Sequence, residues 1–572
     1  MKLMFRVQIR EEIRKIVGEG SAFSVERPEN PEHGDYSSNI ALIMAKKEGK
    51  NPREVAESLK TALGSEASKL GKIIEKIEIA GPGFLNFFLK KETLSDELNK
   101  ILENPKKFGT SNIGKGKKVI VEYFQLNVGK PSHVGHLRSA VIGDALKRSL
   151  LSQGYDAISD THVGDWGTQF GILIRAYKNA DDNFKQILVT DIFSSARAYA
   201  EANIRAEENP KERELAKEEF AKLEAGDSED RKIWKDLLDN SMKSLYKNAE
   251  RLNLLPFEEN LGESFYEDKM KPIIDVAINK KIAKRLDDGA VVIDLTSDNL
   301  DEAVLIKSDG ASTYLLRDLA TIKYRKEEWK FDKNIYVVDV RQSHHFKQVF
   351  KVAELLGFEG VGESEHVSYG FMSLPKGAIS TRKGTAILLD AVLDEAEKRA
   401  MDVIKEKNPE LENKEEVAKQ VGIGALKYFD LSHNRHSDIV FKWDEALSFD
   451  GNTGPYLQYA HARFKSILRK VDGSANREFL AAEFDQLERN FLVAILYFPE
   501  IIEDALEDYM PNILANYLYE LAQLANNFYH SHQVLQEEDK WKQQFRIALI
   551  KAFTETLKNG LNLLGISAPE KM

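Results

Sequence analysis

The stretch VEYFQLNVGKPSHVGHLRSAVIGDAL, Val121–Leu146, constrains the chain more than any other, because an apolar run of strand type turns there into a helical repeat. Val119, Ile120, Val121, Tyr123 and Phe124 have the residue types of a buried strand, whereas Leu137, Val141, Ile142, Ala145 and Leu146 recur at helical spacing. His133, Gly135 and His136 fall at the corner between them. The first N–H groups of a helix lack intrahelical partners and the helix dipole is positive there, so the corner suits an anion such as phosphate. Gly135 has no Cβ to keep such a ligand from the backbone. A helix-capping segment with solvent-facing histidines is the plainer alternative. A metal pair is another, but no local carboxylate completes a familiar ligand spacing.

At 572 residues the chain exceeds one ordinary core, and its length suggests roughly three or four domains. It has no cysteine, which excludes disulfides, thiolate zinc sites and cysteine nucleophiles. The opening MKLMFRVQIREEIRKIVG is charged and amphipathic, without the apolar core of a signal peptide, and no other segment approaches a membrane span. A cytoplasmic location is the expectation, with no membrane partner. The formal charge of −11 argues against coating nucleic acid by charge alone. It leaves room for a local basic surface, and Lys106, Lys107, Lys115, Lys117 and Lys118 form one cluster, which read alone is a solvated linker.

Three regions follow. Residues 1–107 mix helical patterns with short strands and end in IEIAGPGFLNFFL, where Gly81, Pro82 and Gly83 separate two apolar runs, as in a small α/β domain. FGTSNIGKGKK, residues 108–118, has a linker's composition. Within 112–450, runs such as AVVIDL, KNIYVVDV and HVSYGFMSL alternate with helices, which predicts a doubly wound, Rossmann-type parallel sheet. A charged helical insertion interrupts it at about 176–260. Residues 451–572 read as an all-α bundle.

HVGH resembles the HIGH signature of class I aminoacyl-tRNA synthetases, and the longer Asn127-Val-Gly-Lys130-Pro-Ser-His133-Val-Gly-His136-Leu-Arg138-Ser resembles the arginyl enzymes of that class. THVGDWGTQFG, TYLLRDLA, VVDVRQSHHFKQVF, HVSYGFMSL, ISTRKGTAILLDAVLDEA, LSFDGNTGPYLQYAHAR and LKNGLNLLGISAPEKM continue the resemblance in the family's order over nearly the whole chain. It implies ATP-dependent joining of L-arginine to tRNA(Arg) through an adenylate. Magnesium would accompany ATP, no protein-bound zinc is implied, and a monomer is expected. The two competing functions are another HxGH nucleotidyltransferase, which would need neither terminal domain, and a non-catalytic tRNA-binding paralogue.

The resemblance assigns His133, Gly135 and His136 to ATP. The second phosphate-binding segment of the class, KMSKS, stands here as AISTR: alanine and threonine replace its lysines, while Ser380, Arg382 and Lys383 keep polar and cationic character. Lys130 is then expected to supply the missing charge. A guanidinium forms bidentate pairs with carboxylates, and the resemblance gives Asp318 that role, with Tyr314 one helical turn before it and Glu263 as a further anion. Asn127 and Gln342 would hold the α-amino end, with His136 near the carboxyl end. The Gln125-Leu126 pair departs from the usual Ser-x-Pro before Asn127. Phe84 and Asn86 lie in the segment resembling the tRNA-elbow reader, although core packing is an alternative for Phe84. Tyr459, Asn526 and Met572 are the expected anticodon contacts.

Overall fold

The N-terminal runs pair into one antiparallel sheet of order β1-β2-β4-β3: β1 (Val25–Glu26), β2 (Tyr36–Ser38), β3 (Ile74–Ala80) and β4 (Phe84–Leu89). The structure, a computed structural model, describes residues 4–65, 68–373, 388–471 and 484–572. Gly81 and Gly83, at φ 53° and 143°, turn β3 into β4, a backbone course that L side chains disfavour. This domain is fastened to the helices near the C-terminus. Arg489 forks onto both oxygens of Asp35 at 2.7 and 2.6 Å, and buried Glu500 accepts from the Tyr36 hydroxyl at 3.0 Å.

The connection 108–118 is packed rather than loose. A Cβ on Gly109 would lie 2.3 Å from the Phe498 ring, Gln153 donates to the Gly109 carbonyl, and Lys118 already belongs to the next strand. From it, β5 (Lys118–Glu122) leads through the corner into the Gly135–Ser152 helix and then to the parallel β6 (Asp156–Asp160). The insertion is helical as expected, with helices from Asp182–Leu188 to Ser228–Arg251.

One strand differs from expectation. AVVIDL supplies β8 (Val291–Ile293), the middle of a separate antiparallel sheet with β7 (Ala283–Arg285) and β9 (Ala303–Ile306). Its connection to β7 is a hairpin closed by Leu286 N–H donating to the Ala290 carbonyl with Gly289 at φ 94°, and the one to β9 spans only residues 294–302. A parallel partner needs a crossover of about a dozen residues or more. KNIYVVDV instead returns to the main sheet as β10 (Lys333–Asp339). HVSYGFMSL is two strands, β11 (Ser364–Tyr369) and β12 (Met372–Ser373), broken at Gly370, and β12 pairs with β13 (Ile439–Val440).

The main sheet has order β11-β10-β5-β6, parallel throughout. The chain leaves β5 toward β6 on one side and comes back to β10 on the other. That reversal opens a crevice at the carboxyl ends of β5 and β10, where ligands of doubly wound sheets bind. Beyond it come helices Leu389–Lys407 and Lys414–Leu431, then a bundle made of Gly454–Leu468, Gln486–Leu496, Phe498–Glu507, Pro511–Ser531 and Lys540–Leu563.

Beneath the crevice Arg325 is fully buried. Its Nη2 lies 2.6 Å from Glu122 Oε2 and 2.8 Å from Asp160 Oδ2, the last, mutually paired residues of β5 and β6. Replacing Arg325 by methionine leaves both carboxylates without their cation, so a loss of about 3–5 kcal/mol is expected. Denaturant unfolding of the full chain measures it, and a midpoint like that of the parent would contradict this account.

Candidate active site

The corner does not present bare helix amides. The Gly135 N–H donates to His133 Nδ1 at 3.1 Å, the His133 N–H donates to His136 Nδ1 at 3.1 Å, and the His136 N–H donates to the His133 carbonyl at 2.8 Å. Two of the amides expected to meet an anion are therefore used within the chain. What they fix is the imidazole pair: with both Nδ1 atoms accepting, each neutral ring carries its proton on Nε2. The rings lie 3.8 Å apart at 33°. Gly135 is required here for a reason other than ligand approach, because a Cβ would come within 2.9 Å of His133 Nδ1.

Burial, then the cations of Arg341 and Lys130, push the His133 pKa down to about 4. Burial and His133 likewise hold His136 well below the usual imidazole range. Arg341 was not apparent from sequence, since only the return of β10 beside β5 brings it near; its guanidinium bonds Asp339 at 2.8 and 2.9 Å. The Lys130 ammonium sits 4.7 Å from the ring centre of Tyr199, on the helical insertion. Leu388 bridges His133, and the Leu389 N–H donates to the Ser132 carbonyl at 2.9 Å, so the chain following AISTR returns to the corner. Ser380, Arg382 and Lys383 themselves lie outside the described residues.

Anionic groups gather on other elements. Asp318 and Tyr314 share the Tyr314–Tyr324 helix, where Tyr314 is 64% exposed and Asp318 mostly buried. Glu263 is held in its turn by Asp165, which accepts from the Ser264 N–H at 2.8 Å and hydroxyl at 2.7 Å. Burial raises the Glu263 pKa to about 7 although Arg317 Nη1 lies 3.0 Å from its Oε2. The Arg317 guanidinium also faces the Tyr314 ring at 5.3 Å. Asn127, exposed, pairs with Gly164, whose missing Cβ makes room for the Asn127 side-chain Oδ1; Gln342 is exposed just before the Ser343–Leu356 helix. His345, on that helix, bonds Asp318 and escaped the sequence reading. The histidine run SHHF was its only signal.

The profile described as "tRNA synthetases class I (R), catalytic domain" matches residues 97–443, that of the "Arginyl tRNA synthetase N terminal domain" residues 4–89, and that of the "DALR anticodon binding domain" residues 457–572. The chain belongs to the arginyl-tRNA synthetase family. Arginine--tRNA ligase of Fusobacterium nucleatum is 40% identical over 95% of this chain and 94% of its own. That of Alkaliphilus metalliredigens is 40% identical over 96% and 95%. The solved arginyl-tRNA synthetase of Thermus thermophilus superposes with a TM-score of 0.83 at 28% identity, covering 100% of both chains, and that of Plasmodium falciparum with 0.82 at 27%, covering 99% and 98%. A methionyl-tRNA synthetase of Mycobacterium tuberculosis, at 12% identity and TM-score 0.52 over 79% and 92%, shares the fold.

The outlying residues of this arginyl-tRNA synthetase family member fall in two places. Phe84 is 38% exposed at the start of β4, against the packing alternative, while Asn86 is buried and accepts from the Ser37 hydroxyl at 2.8 Å. Tyr459 and Met572 line one groove of about 630 Å³ with Arg463, Arg469, Lys470 and Tyr529. Asn526 stands beside it, receiving Arg463 at 3.3 Å and donating to the Tyr456 hydroxyl at 2.8 Å.

Neutral paired imidazoles have a direct spectroscopic consequence. An unfolded imidazole takes its proton near about 6.5, and folded His133 only at about 4. Between those values the unfolded chain binds more protons, so His133 withdraws stability as pH falls from about 6.5 to about 4. The His133 ring carbon resonances are expected to titrate near the lower value, and a midpoint above 6 would be incompatible with this environment.

Proposed function

We propose that the chain joins L-arginine to tRNA(Arg): arginine's carboxylate attacks the α-phosphorus of ATP, pyrophosphate leaves, and a hydroxyl of the tRNA's terminal ribose takes the arginyl group while AMP departs. The observation that carries this reading is the distribution of charge around one crevice. Nε2–H donors of His133 and His136, with Lys130 and Arg341, stand where phosphate charge develops. Asp318 offers a guanidinium its carboxylate, and Glu263 and the Tyr314 ring stand beside it as further partners, both now engaged by Arg317. Asn127 and Gln342 are assigned to the α-amino end.

ATP would arrive with Mg²⁺, which together with the Nε2–H donors of the two histidines would offset phosphate charge, and no protein-bound zinc enters the scheme. Ser380, Arg382 and Lys383 complete the phosphate site, while Lys130 leaves the Tyr199 ring to reach the nucleotide. The regions 1–107 and 451–572 hold the tRNA, through Phe84 at one end, with the buried Asn86 supporting it from within the sheet rather than touching RNA, and Tyr459, Asn526 and Met572 at the other. The working unit is a monomer in the cytoplasm; among the described residues no helix is long and apolar enough to cross a membrane.

Aminoacylation of pure tRNA(Arg) with each amino acid in turn tests the assignment. Charging with arginine alone is expected, and tRNA binding without any charging would favour a non-catalytic paralogue. His133→Ala and His136→Ala should each slow adenylate formation by about 10²–10³-fold, as when an oxyanion donor is removed, with tRNA affinity retained. Lys130→Ala should act in the same direction. Single-turnover rates equal to the parent's in both histidine variants would remove these residues from the mechanism.

A further inference from the structure

Asp318, the proposed guanidinium anchor, is itself held. His345 Nε2 lies 2.5 Å from Asp318 Oδ2, with the two side chains 25% and 18% exposed. They stand on different helices, Ser343–Leu356 and Tyr314–Tyr324, which pack against each other. At this separation the Nε2 proton lies between them. Burial alone would lower the His345 pKa, yet the hydrogen bond and charge of Asp318 outweigh it and leave it raised. The imidazole is fixed on its other side as well. Its ring meets Phe346 at 5.6 Å and 75°, Phe346 stacks on His366 at 4.5 Å, and His366 Nε2 bonds the Val338 carbonyl of β10 at 2.9 Å.

A carboxylate offers about four lone-pair positions on two oxygens. A guanidinium uses two of them in parallel, and only when the carboxylate plane is turned to meet its fork. His345 occupies one position on Oδ2 and fixes that plane. We propose that His345 is a positioning residue for arginine selection: it orients the Asp318 carboxylate so that a substrate guanidinium can bind it through two parallel N–H donors. The inference rests on the reading of Asp318 as the guanidinium anchor.

Selectivity separates this role from simple support of the fold. An ammonium is a point charge and needs no particular carboxylate plane, whereas a guanidinium does. Loss of His345 should therefore weaken arginine more than an amine competitor such as lysine, and should narrow the discrimination against arginine methylated on a terminal nitrogen, which cannot present the full fork.

The test is steady-state arginylation by the full chain carrying His345→Ala, His345→Leu, His345→Gln or Asp318→Asn. His345→Ala and His345→Leu are expected to raise KM for arginine by about ten- to a hundredfold, the size of a hydrogen bond to a charged group. Their kcat and their KM for ATP should stay near the parent's, and His345→Gln, which keeps an N–H donor, should recover much of the loss. Leucine fills most of the imidazole's volume, so the pair decides the matter even where the alanine variant folds poorly. An unchanged KM for arginine in the leucine and glutamine variants, with a raised KM in Asp318→Asn, would overturn the role of His345 and leave the anchor standing. An unchanged KM in Asp318→Asn would overturn the anchor and this inference with it. A uniform loss across arginine, ATP and kcat without rescue by glutamine would reduce His345 to a structural residue.

Discussion

The arrangement depends on one helix whose charges have no water to face. Gly135–Ser152, which begins at the histidine corner, is buried over most of its length yet carries Arg138, Asp144 and Lys147 inside the protein. A buried ion left unpaired is prohibitively costly, so each of these residues dictates what must surround it. Arg138 donates to the carbonyls of Gly370 at 2.7 Å and Ser437 at 2.9 Å and pairs with Asp430 at 3.0 Å. Lys147 meets Glu258 at 2.7 Å at the end of the insertion, and Asp144 receives Arg148 at 2.8 Å and Lys427 at 3.5 Å. Burial pulls the Lys427 pKa down to about 8, a sign of how little solvent reaches this junction. Main sheet, insertion and the Lys414–Leu431 helix are thereby registered on the same element that presents His133 and His136.

That registration explains how one crevice can be cationic in one part and anionic in another. The histidines and Lys130 come from the corner, Arg341 from the end of β10, and Asp318, Glu263 and Tyr314 from segments more than a hundred residues downstream of the corner. The proposed placing of arginine, with its carboxylate toward the corner and its guanidinium toward Asp318, follows this division of charge. The neutrality of the histidines belongs to the same design: burial disfavours a charge on either ring, Arg341 and Lys130 add to this at His133 and His133 adds to it at His136, and the neutral rings donate hydrogen bonds without a change of protonation.

Local features were the legible ones. The corner follows from an apolar run meeting a helical repeat within a short stretch, and Gly81 and Gly83 announced the hairpin between β3 and β4. Pairing was less legible, since Val291–Ile293 has the apolar types of a main-sheet strand and only its short connections send it elsewhere. The family resemblance proposed Asp318 and Tyr314 for the site and did not point to His345, because its partner lies on another helix and no spacing rule links them. The engagement of Glu263 by Arg317 was hidden for the same reason. Phe84, hydrophobic and exposed, reads as core from its type alone; its place at the first residue of β4, just past Gly83, carries it to the surface.

Two backbone positions show where folding stability is spent on the site. Beyond the last residues of β5 and β6, Glu122 and Asp160, the chain bends through left-handed residues that are not glycine: Phe124 at φ 60° and His162 at φ 39°. Each conformation of this kind costs about 1–3 kcal/mol and survives only where its surroundings over-determine it. Here they do. The Phe124 N–H donates to Ser139 of the corner helix at 2.9 Å, the His162 N–H donates to Asp160 at 3.1 Å, and Arg325 clamps Glu122 and Asp160 from beneath. The bends redirect the chain out of adjacent strands, one toward Asn127 and the histidine corner, the other toward Gly164, whose backbone pairs with Asn127. An unstrained continuation of either strand would carry these residues elsewhere, so the buried arginine and the bends above it belong to one device that fixes where Asn127 and the histidine corner stand.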